Sequence, residues 1–136
     1  VFLVGGIGIT PARSILREAL HQGSQREYTL FYANRFQKDA SFHEELSDLA
    51  RTLPHFRYVT VLSRSEDPVG PENDERGYIT GDVLKKYLVD IPQCLYYMVG
   101  SAEFIDAMES MLAGFGVMKE QCKKDPFTGL RKPAAK

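Results

Sequence analysis

The sequence has almost no net charge and few cysteines, and each of these absences argues against a class of protein. Seventeen Lys and Arg stand against eighteen Asp and Glu in 136 residues, which gives a net charge of −1. This balance argues against broad electrostatic binding of nucleic acid, so no nucleic-acid partner is expected. The two cysteines, Cys94 and Cys122, cannot hold an iron–sulfur cluster alone and form no disulfide framework.

Long apolar runs are also missing. No segment approaches the ~18–20 apolar residues that span a bilayer, and no signal peptide is visible. The first residue is Val1 rather than Met, in a strand-like run, so we expect further sequence upstream. The low cysteine content favours a cytoplasmic location, or the cytoplasmic side of a membrane if upstream helices exist.

Motifs for metal binding or nucleophilic catalysis are absent as well. His21, His43 and His55 are scattered without HxxxH or HExxH spacing, so no metal site is expected. There is no GxSxG motif, and neither cysteine has a histidine partner by position. Hydrophobic residues make up 43% of the chain, which is enough for a packed core. Because the motifs for metal binding and nucleophilic catalysis are absent, we expect no catalytic side chain and infer that a bound cofactor carries the chemistry.

Short apolar runs alternate with amphipathic segments along residues 1–128. Strands are predicted at residues 1–4, 28–33, 56–62 and 94–99, with an edge strand around 121–123. Helices are predicted from Pro11 with Thr10 as N-cap, from a capping box over 41–44, over 79–88 with Thr80 as cap, and over 101–115. Residues 65–77 are predicted to be a long exposed loop. The pattern predicts one α/β domain, a doubly wound parallel sheet of five strands in the order 3-2-1-4-5. The last residues, 129–136, are expected to be a basic, disordered tail.

Glycine-rich turns follow two of the predicted strands. Gly5, Gly6 and Gly8 precede the first helix, and Gly100-Ser101 precedes the last. The first turn is neither a GxGxxG dinucleotide fingerprint nor a P-loop. Either turn alone could be only a tight connection. Because both lie at the switch point of the predicted sheet, together they favour a crevice for a phosphate and a ring.

Polar residues lie at the same predicted sheet edge. Ser63-Arg64 ends the third strand, and a hydroxyl beside a guanidinium suits a terminal phosphate. Arg76 and Tyr78 could supply a second cation and a stacking ring. Asn34-Arg35 could bind a ligand or cap a turn. Each of these pairs could also be an ordinary solvated loop.

These motifs together resemble the pyridine-nucleotide-binding domain of the ferredoxin–NADP reductase superfamily. The resemblance spans residues 1–130 and rests on residues 4–11, 32–35 with Phe42 and Glu45-Leu46, 63–64 with 77–80, and 97–101 with Phe104, Ala107-Met108 and Met111-Leu112. It implies an NAD(P)H-dependent flavoprotein reductase in which an upstream β-barrel, absent from this chain, holds FAD. Hydride would pass between the nicotinamide and the flavin. The electron acceptor or donor could be a ferredoxin, flavodoxin, cytochrome, oxygenase or another partner.

The resemblance also implies cofactor-binding residues. The pyrophosphate would lie against Gly5, Gly6, Ile7, Gly8, Ile9, Thr10 and Pro11, and the adenosine end against Ser63, Arg64, Arg76 and Tyr78. The nicotinamide would lie by Gly100 and Ser101, and Asn34, Arg35, Phe104 and Met108 complete the set. Because a Ser-Arg pair at this place holds the 2′-phosphate in related enzymes, NADP(H) is expected over NAD(H).

Two departures and one alternative accompany the resemblance. Val99 stands where many members have a cysteine, and Leu130 follows Phe127-Thr128-Gly129 where many have an aromatic residue. A signalling receiver domain needs acidic residues at the ends of its first and third strands to hold Mg²⁺ and accept phosphate. Because Gly5-Gly6 and Ser63-Arg64 occupy those positions here, this class of protein is disfavoured. A non-catalytic regulatory module that binds nucleotide on the same fold remains the alternative function.

Overall fold

A computed structural model of the chain describes residues 1–6, 8–64 and 75–126. Six strands form one sheet, and every neighbouring pair in it runs parallel. The strands are β1 Phe2–Gly5, β2 Tyr28–Asn34, β3 Phe56–Leu62, β4 Glu75–Arg76, β5 Tyr96–Gly100 and β6 Cys122–Pro126. The α-helices are α1 Ile9–His21, α2 His43–Thr52, α3 Gly81–Tyr87 and α4 Ala102–Ala113. Among these described residues, none of the helices has the length and apolar character that crossing a bilayer requires.

The strand order is β4-β3-β2-β1-β5-β6. The order predicted for five strands is confirmed, because those five keep their sequence of neighbours. The predicted count of five was wrong, since Glu75–Arg76 adds a short sixth strand beside β3. Its register pairs Val61 with Glu75 and Leu62 with Arg76. Two residues are too few to give a periodic signal, so the sequence assigned them to the loop.

The sheet is buried on both faces, as near-continuous apolar strands require. Alternate residues of β1 divide between the two cores: Phe2 and Val4 pack on one side and Leu3 on the other. The first core includes Leu16 of α1 and Leu46 of α2, and the second contains the apolar faces of α3 and α4. These layers fix the carboxyl ends of the central strands at one edge of the domain.

The start of α1 differs from the prediction. The helix begins at Ile9 with Gly8 at the N-cap, and no side chain caps it. Thr10 was predicted as the N-cap, but it is an exposed residue of the first helical turn. Pro11 occupies the third helical position, where a backbone N–H would still have no partner within the helix. Proline is therefore tolerated there, and it does not mark the first helical position.

The capping box predicted at residues 41–44 was also wrong. Helix α2 begins at His43, and its N-cap is Phe42 in the left-handed region, at φ 61°. The Ser41 backbone N–H donates instead to the Tyr32 hydroxyl at 3.0 Å, and the Arg13 guanidinium lies 4.3 Å from the centre of the Phe42 ring. Contacts with other elements thus replace the local cap. In contrast, Thr80 does cap α3, because its hydroxyl accepts from the Val83 N–H at 3.3 Å.

Candidate functional site

A cleft of about 810 Å³ opens at the carboxyl ends of the parallel strands. Residues that follow β1, β2, β3, β4 and β5 all contribute to its wall, so the cleft spans the switch point between β1 and β5. This is where open parallel sheets bind their ligands. Its lining residues are Gly5, Gly6, Ala33, Asn34, Arg35, Asp39, Ser63, Arg64, Gly77, Tyr78, Ser101 and Phe104.

One half of the cleft, which we call the glycine end, is formed by Gly5, Gly6, Ser101 and Phe104. Gly6 has φ +58°, a conformation that L side chains rarely adopt, and a Cβ there would meet nothing within 4 Å. Its N–H donates to the Ala33 carbonyl at 2.9 Å, which ties the turn to β2. The backbone at Gly6 is therefore open to a ligand.

Gly8 and Gly100 pack behind the glycine end and are both buried. A Cβ on Gly8 would lie 2.7 Å from Cγ1 of Val99 and 3.3 Å from the Gly100 nitrogen. The start of α1 thus lies directly against the end of β5. Both helix N-termini, of α1 and of α4, face this edge and favour negative charge there.

The Phe104 ring covers two of the glycines. A Cβ on Gly5 would lie 3.0 Å from the ring, and one on Gly100 would lie 2.7 Å from Cδ2. The ring is held there because the Ser101 hydroxyl caps α4, accepting from the Phe104 N–H at 3.0 Å. Phe104 therefore forms an apolar floor at the glycine end.

The other half of the cleft, the polar end, is formed by Asn34, Arg35, Asp39, Ser63, Arg64, Gly77 and Tyr78. Backbone bonds of 2.9 Å join Ser63 to the Asn34 carbonyl, Arg64 to the Arg35 carbonyl and Gly77 to the Leu62 carbonyl. The loops that follow β2, β3 and β4 are thus held side by side. Arg35 and Arg64 are exposed, and Tyr78 is 70% exposed, so these groups are available to a ligand.

Asn34 lies where the two ends meet. Its Nδ2 atom is buried and makes no hydrogen bond of standard geometry. The nearby Tyr32 hydroxyl has a raised pKa because it is buried, and the Asn34 and Ser41 groups beside it oppose that rise. A buried amide without a full hydrogen bond is available for an incoming acceptor such as a ribose or phosphate oxygen.

Several predicted site residues lie outside the cleft lining. Ile9 and Met108 are buried in the two cores, at 1% and 6% exposure, so packing against neighbouring side chains accounts for both. Thr10, Pro11 and Arg76 also lie beyond the lining, with Gly8 and Gly100 buried behind it. Ile7 falls outside the described residues. Ala33, Asp39 and Gly77 line the cleft but were not among the predicted site residues. No motif marks Asp39, whereas Ala33 and Gly77 belong to the motifs that carry the resemblance, and Gly77 has φ +99°.

A doubly wound parallel sheet with a glycine-lined cleft at its switch point defines a class, the nucleotide-binding α/β domains. The chain belongs to the oxidoreductase NAD-binding domain family, whose pattern matches residues 2–110. The resemblance inferred from the sequence is thereby confirmed. Among the residues that the structure describes, no group of three or more His, Cys, Asp or Glu could hold a metal ion.

Two curated relatives agree with this assignment. The chain is 35% identical over 130 residues to the reductase component of propane 2-monooxygenase from Rhodococcus jostii (strain RHA1), covering 94% of this chain and 35% of the relative. It is also 35% identical over 136 residues to a subunit of the Na(+)-translocating NADH-quinone reductase of Methylococcus capsulatus, covering 95% and 32%. The chain therefore spans about a third of the length of these reductases and corresponds to one domain of them.

Solved structures show the same fold. A flavohemoglobin from Malassezia yamatoensis with bound FAD and heme superimposes with a TM-score of 0.81 at 21% identity, over 93% of this chain and 31% of that one. The cytochrome b5 reductase domain of Ulva prolifera nitrate reductase gives 0.79 at 22% identity, over 91% and 47%. At these identities the likeness concerns the fold alone.

Proposed function

We propose that this chain is the NAD(P)H-binding domain of a flavin-dependent reductase and presents nicotinamide to FAD. The observation that carries the proposal is the cleft itself, which joins an open glycine backbone to a cationic, hydroxyl-bearing wall. Support comes from the relatives, which are both parts of reductases. A separate β-barrel domain would hold the FAD, and a separate acceptor would take the electrons. The predicted cytoplasmic location remains a prediction.

The residues of the cleft fit a dinucleotide. The absent side chain at Gly6 leaves room for a pyrophosphate against the backbone, where a Cβ would meet no protein atom within 4 Å. The Phe104 ring offers an apolar surface for the nicotinamide half, and Tyr78 offers an exposed ring for the adenine half. The buried Asn34 amide lies between them and can donate to an oxygen of the ligand.

Catalysis by such a domain consists of placement. When bound, NAD(P)H supplies the hydride, and no side chain of this chain has to exchange a proton with it. The glycine end fixes the nicotinamide-bearing half close to the backbone, and the polar end holds the other half by charge. Correct orientation of a bound reactant can account for several kcal/mol of a reaction barrier.

We further propose that the polar end selects NADP(H) over NAD(H). Ser63 and Arg64 line the cleft together and can bind a 2′-phosphate with a hydroxyl and a guanidinium. Asp39 lines the same wall and would oppose a second phosphate charge. A charge-assisted hydrogen bond contributes about 1.5–3 kcal/mol, so the arginine outweighs one exposed acid.

Calorimetric titration with NADP⁺ and NAD⁺ tests both statements. We expect NADP⁺ to bind at least about tenfold more tightly, with an affinity that falls as salt rises. Arg64→Ala should reduce NADP⁺ binding to the level of NAD⁺. Arg26→Ala is the matched control, because Arg26 is an exposed arginine that does not line the cleft.

Four results would contradict the proposals. If the chain binds neither nucleotide, the proposed nucleotide-binding function is wrong. Equal affinities in the unmodified chain, or an equal loss of both nucleotides in Arg64→Ala, remove the role of Arg64 in selecting the phosphate. Purified chain that carries stoichiometric flavin, visible by its absorbance, would contradict the division into a nucleotide domain and a separate FAD domain.

A further inference from the structure

We propose that Glu75 is a positioning residue, which fixes the polar end of the cleft through a hydrogen bond and an ion pair to α3. The inference rests on the proposed nucleotide-binding function and deepens it. It concerns the end of the cleft where the adenosine half of the ligand would bind. Nothing in the sequence marks Glu75, which was assigned to an exposed loop.

The carboxylate of Glu75 is buried, and each of its two oxygens accepts a hydrogen bond. The residue is 9% exposed, although it lies on the edge strand β4. One oxygen accepts from Lys86 Nζ at 2.9 Å, and the other accepts from the Tyr87 hydroxyl at 2.7 Å. A buried carboxylate is costly unless each oxygen is satisfied, so the arrangement fixes all three side chains together.

The partner of Glu75 is itself anchored in the core. The Tyr87 ring packs edge-on against Phe31, with ring centres 5.8 Å apart and planes at 77°. Phe31 is fully buried in the middle of β2. The Arg57 guanidinium of β3 also lies against the Tyr87 ring, 5.8 Å from its centre. These ring contacts therefore hold in place the Tyr87 hydroxyl that donates to Glu75.

Glu75 is close in the chain to residues of the cleft wall, so its fixed position also limits where they lie. Only Arg76 separates Glu75 from Gly77, and Gly77 and Tyr78 both line the cleft. The two-residue strand β4 is attached through its register with β3 and through the Gly77 N–H bond to the Leu62 carbonyl at 2.9 Å. So short a strand has little stability of its own. The side chain of Glu75 supplies the fixed position that the strand lacks.

Tyr87→Phe removes the hydroxyl that donates to Glu75 and keeps the ring. We expect ADP-ribose, which carries the adenosine end and both phosphates but no nicotinamide, to bind about tenfold more weakly. Amide hydrogen exchange at Gly77 should speed up, whereas exchange at Gly6 should not change. Glu75→Gln is the second variant; it keeps an acceptor for Tyr87, loses the ion pair with Lys86, and should weaken ADP-ribose by about threefold.

Tyr97→Phe is the matched control. It also removes a tyrosine–carboxylate bond, from the Tyr97 hydroxyl to Asp125 at 3.2 Å, but Tyr97 does not line the cleft. We expect unchanged ADP-ribose affinity in this variant. An equal loss in Tyr97→Phe, or unchanged affinity and Gly77 exchange in Tyr87→Phe with only a lower unfolding midpoint, would overturn the positioning role alone. Failure of the unmodified chain to bind ADP-ribose would overturn the proposed function, and the inference with it.

Discussion

The glycine end and the polar end of the cleft are built on opposite principles. At the glycine end, missing side chains set the shape: a Cβ on Gly5 would lie 3.0 Å from the Phe104 ring, and one on Gly8 or Gly100, just behind this end, would lie 2.7 Å from a neighbouring side chain. At the polar end, side chains from the loops after β2, β3 and β4 set the shape, and backbone bonds hold those loops together. The close-packed glycines of the first end therefore resist substitution, whereas the second end can change its ligand preference at small cost to the fold.

The strongest way to test this contrast is Gly8→Val. Its Cβ would lie 2.7 Å from Val99 and 3.3 Å from the Gly100 backbone, so β1, α1 or β5 has to move. We expect a loss of about 3 kcal/mol in the free energy of unfolding by urea, together with lost nucleotide binding. Arg64→Ala at the polar end should change unfolding by less than about 0.5 kcal/mol. Similar losses in the two variants would remove the contrast.

A pair of glycines separates backbone strain from ligand approach. Gly6 and Gly23 have φ +58° and +66°, and a Cβ on either would meet nothing within 4 Å. Alanine at each should cost about 1–2 kcal/mol of unfolding free energy, because the strain is the same. Only Gly6→Ala should weaken nucleotide binding, by about tenfold in calorimetry. Unchanged binding in Gly6→Ala would mean that this glycine serves the turn alone.

Asp39→Asn should strengthen the binding of NADP⁺ at the polar end. The change removes a negative charge from the cleft wall without changing size, so NADP⁺ should bind about threefold more tightly at low salt. The gain for NAD⁺ should be smaller, because it lacks the extra phosphate. Asp82→Asn, on the surface of α3 and outside the cleft lining, is the control. Tighter binding of both nucleotides in both variants would indicate a general charge effect.

The smallest expected effect is the pH dependence of stability that comes from the ion pairs between α1 and α2. Hydrogen bonds from Arg13 and Arg17 of α1 hold the pKa of Glu45 on α2 below its ordinary value of 4.5. A lowered folded-state pKa adds stability above 4.5 and loses it as the pH falls toward the folded value. The unfolding free energy should therefore decrease below about pH 4.5, and Glu45→Gln should flatten that decrease. Glu44→Gln, on the exposed side of α2, is the matched control.

The same contrast explains what the sequence could predict. The order of the five long strands follows from the alternation of strands and helices with right-handed crossovers, so it could be predicted. The glycine end depends on residues adjacent in the chain, such as Gly5-Gly6 and Gly100-Ser101, and could be predicted as well. Thr10 and Ser41 were assigned as caps from local pattern, but packing of Gly8 against Val99 and of Phe42 under Arg13 determines the helix starts. Glu75 and Asp39 carry no local pattern at all, because their surroundings come from distant parts of the chain.

The two outer strands also bear on association between molecules. Unpaired edges of a sheet can template pairing with another chain, and natural sheets limit this with short strands, lysines and proline. On one side β4 is only two residues long. On the other, β6 carries exposed Lys123, Lys124 and Asp125 and ends at Pro126. Within residues 1–6, 8–64 and 75–126, neither edge offers a long, flat, apolar ladder, so these two strands disfavour edge-to-edge pairing when many copies meet at high concentration.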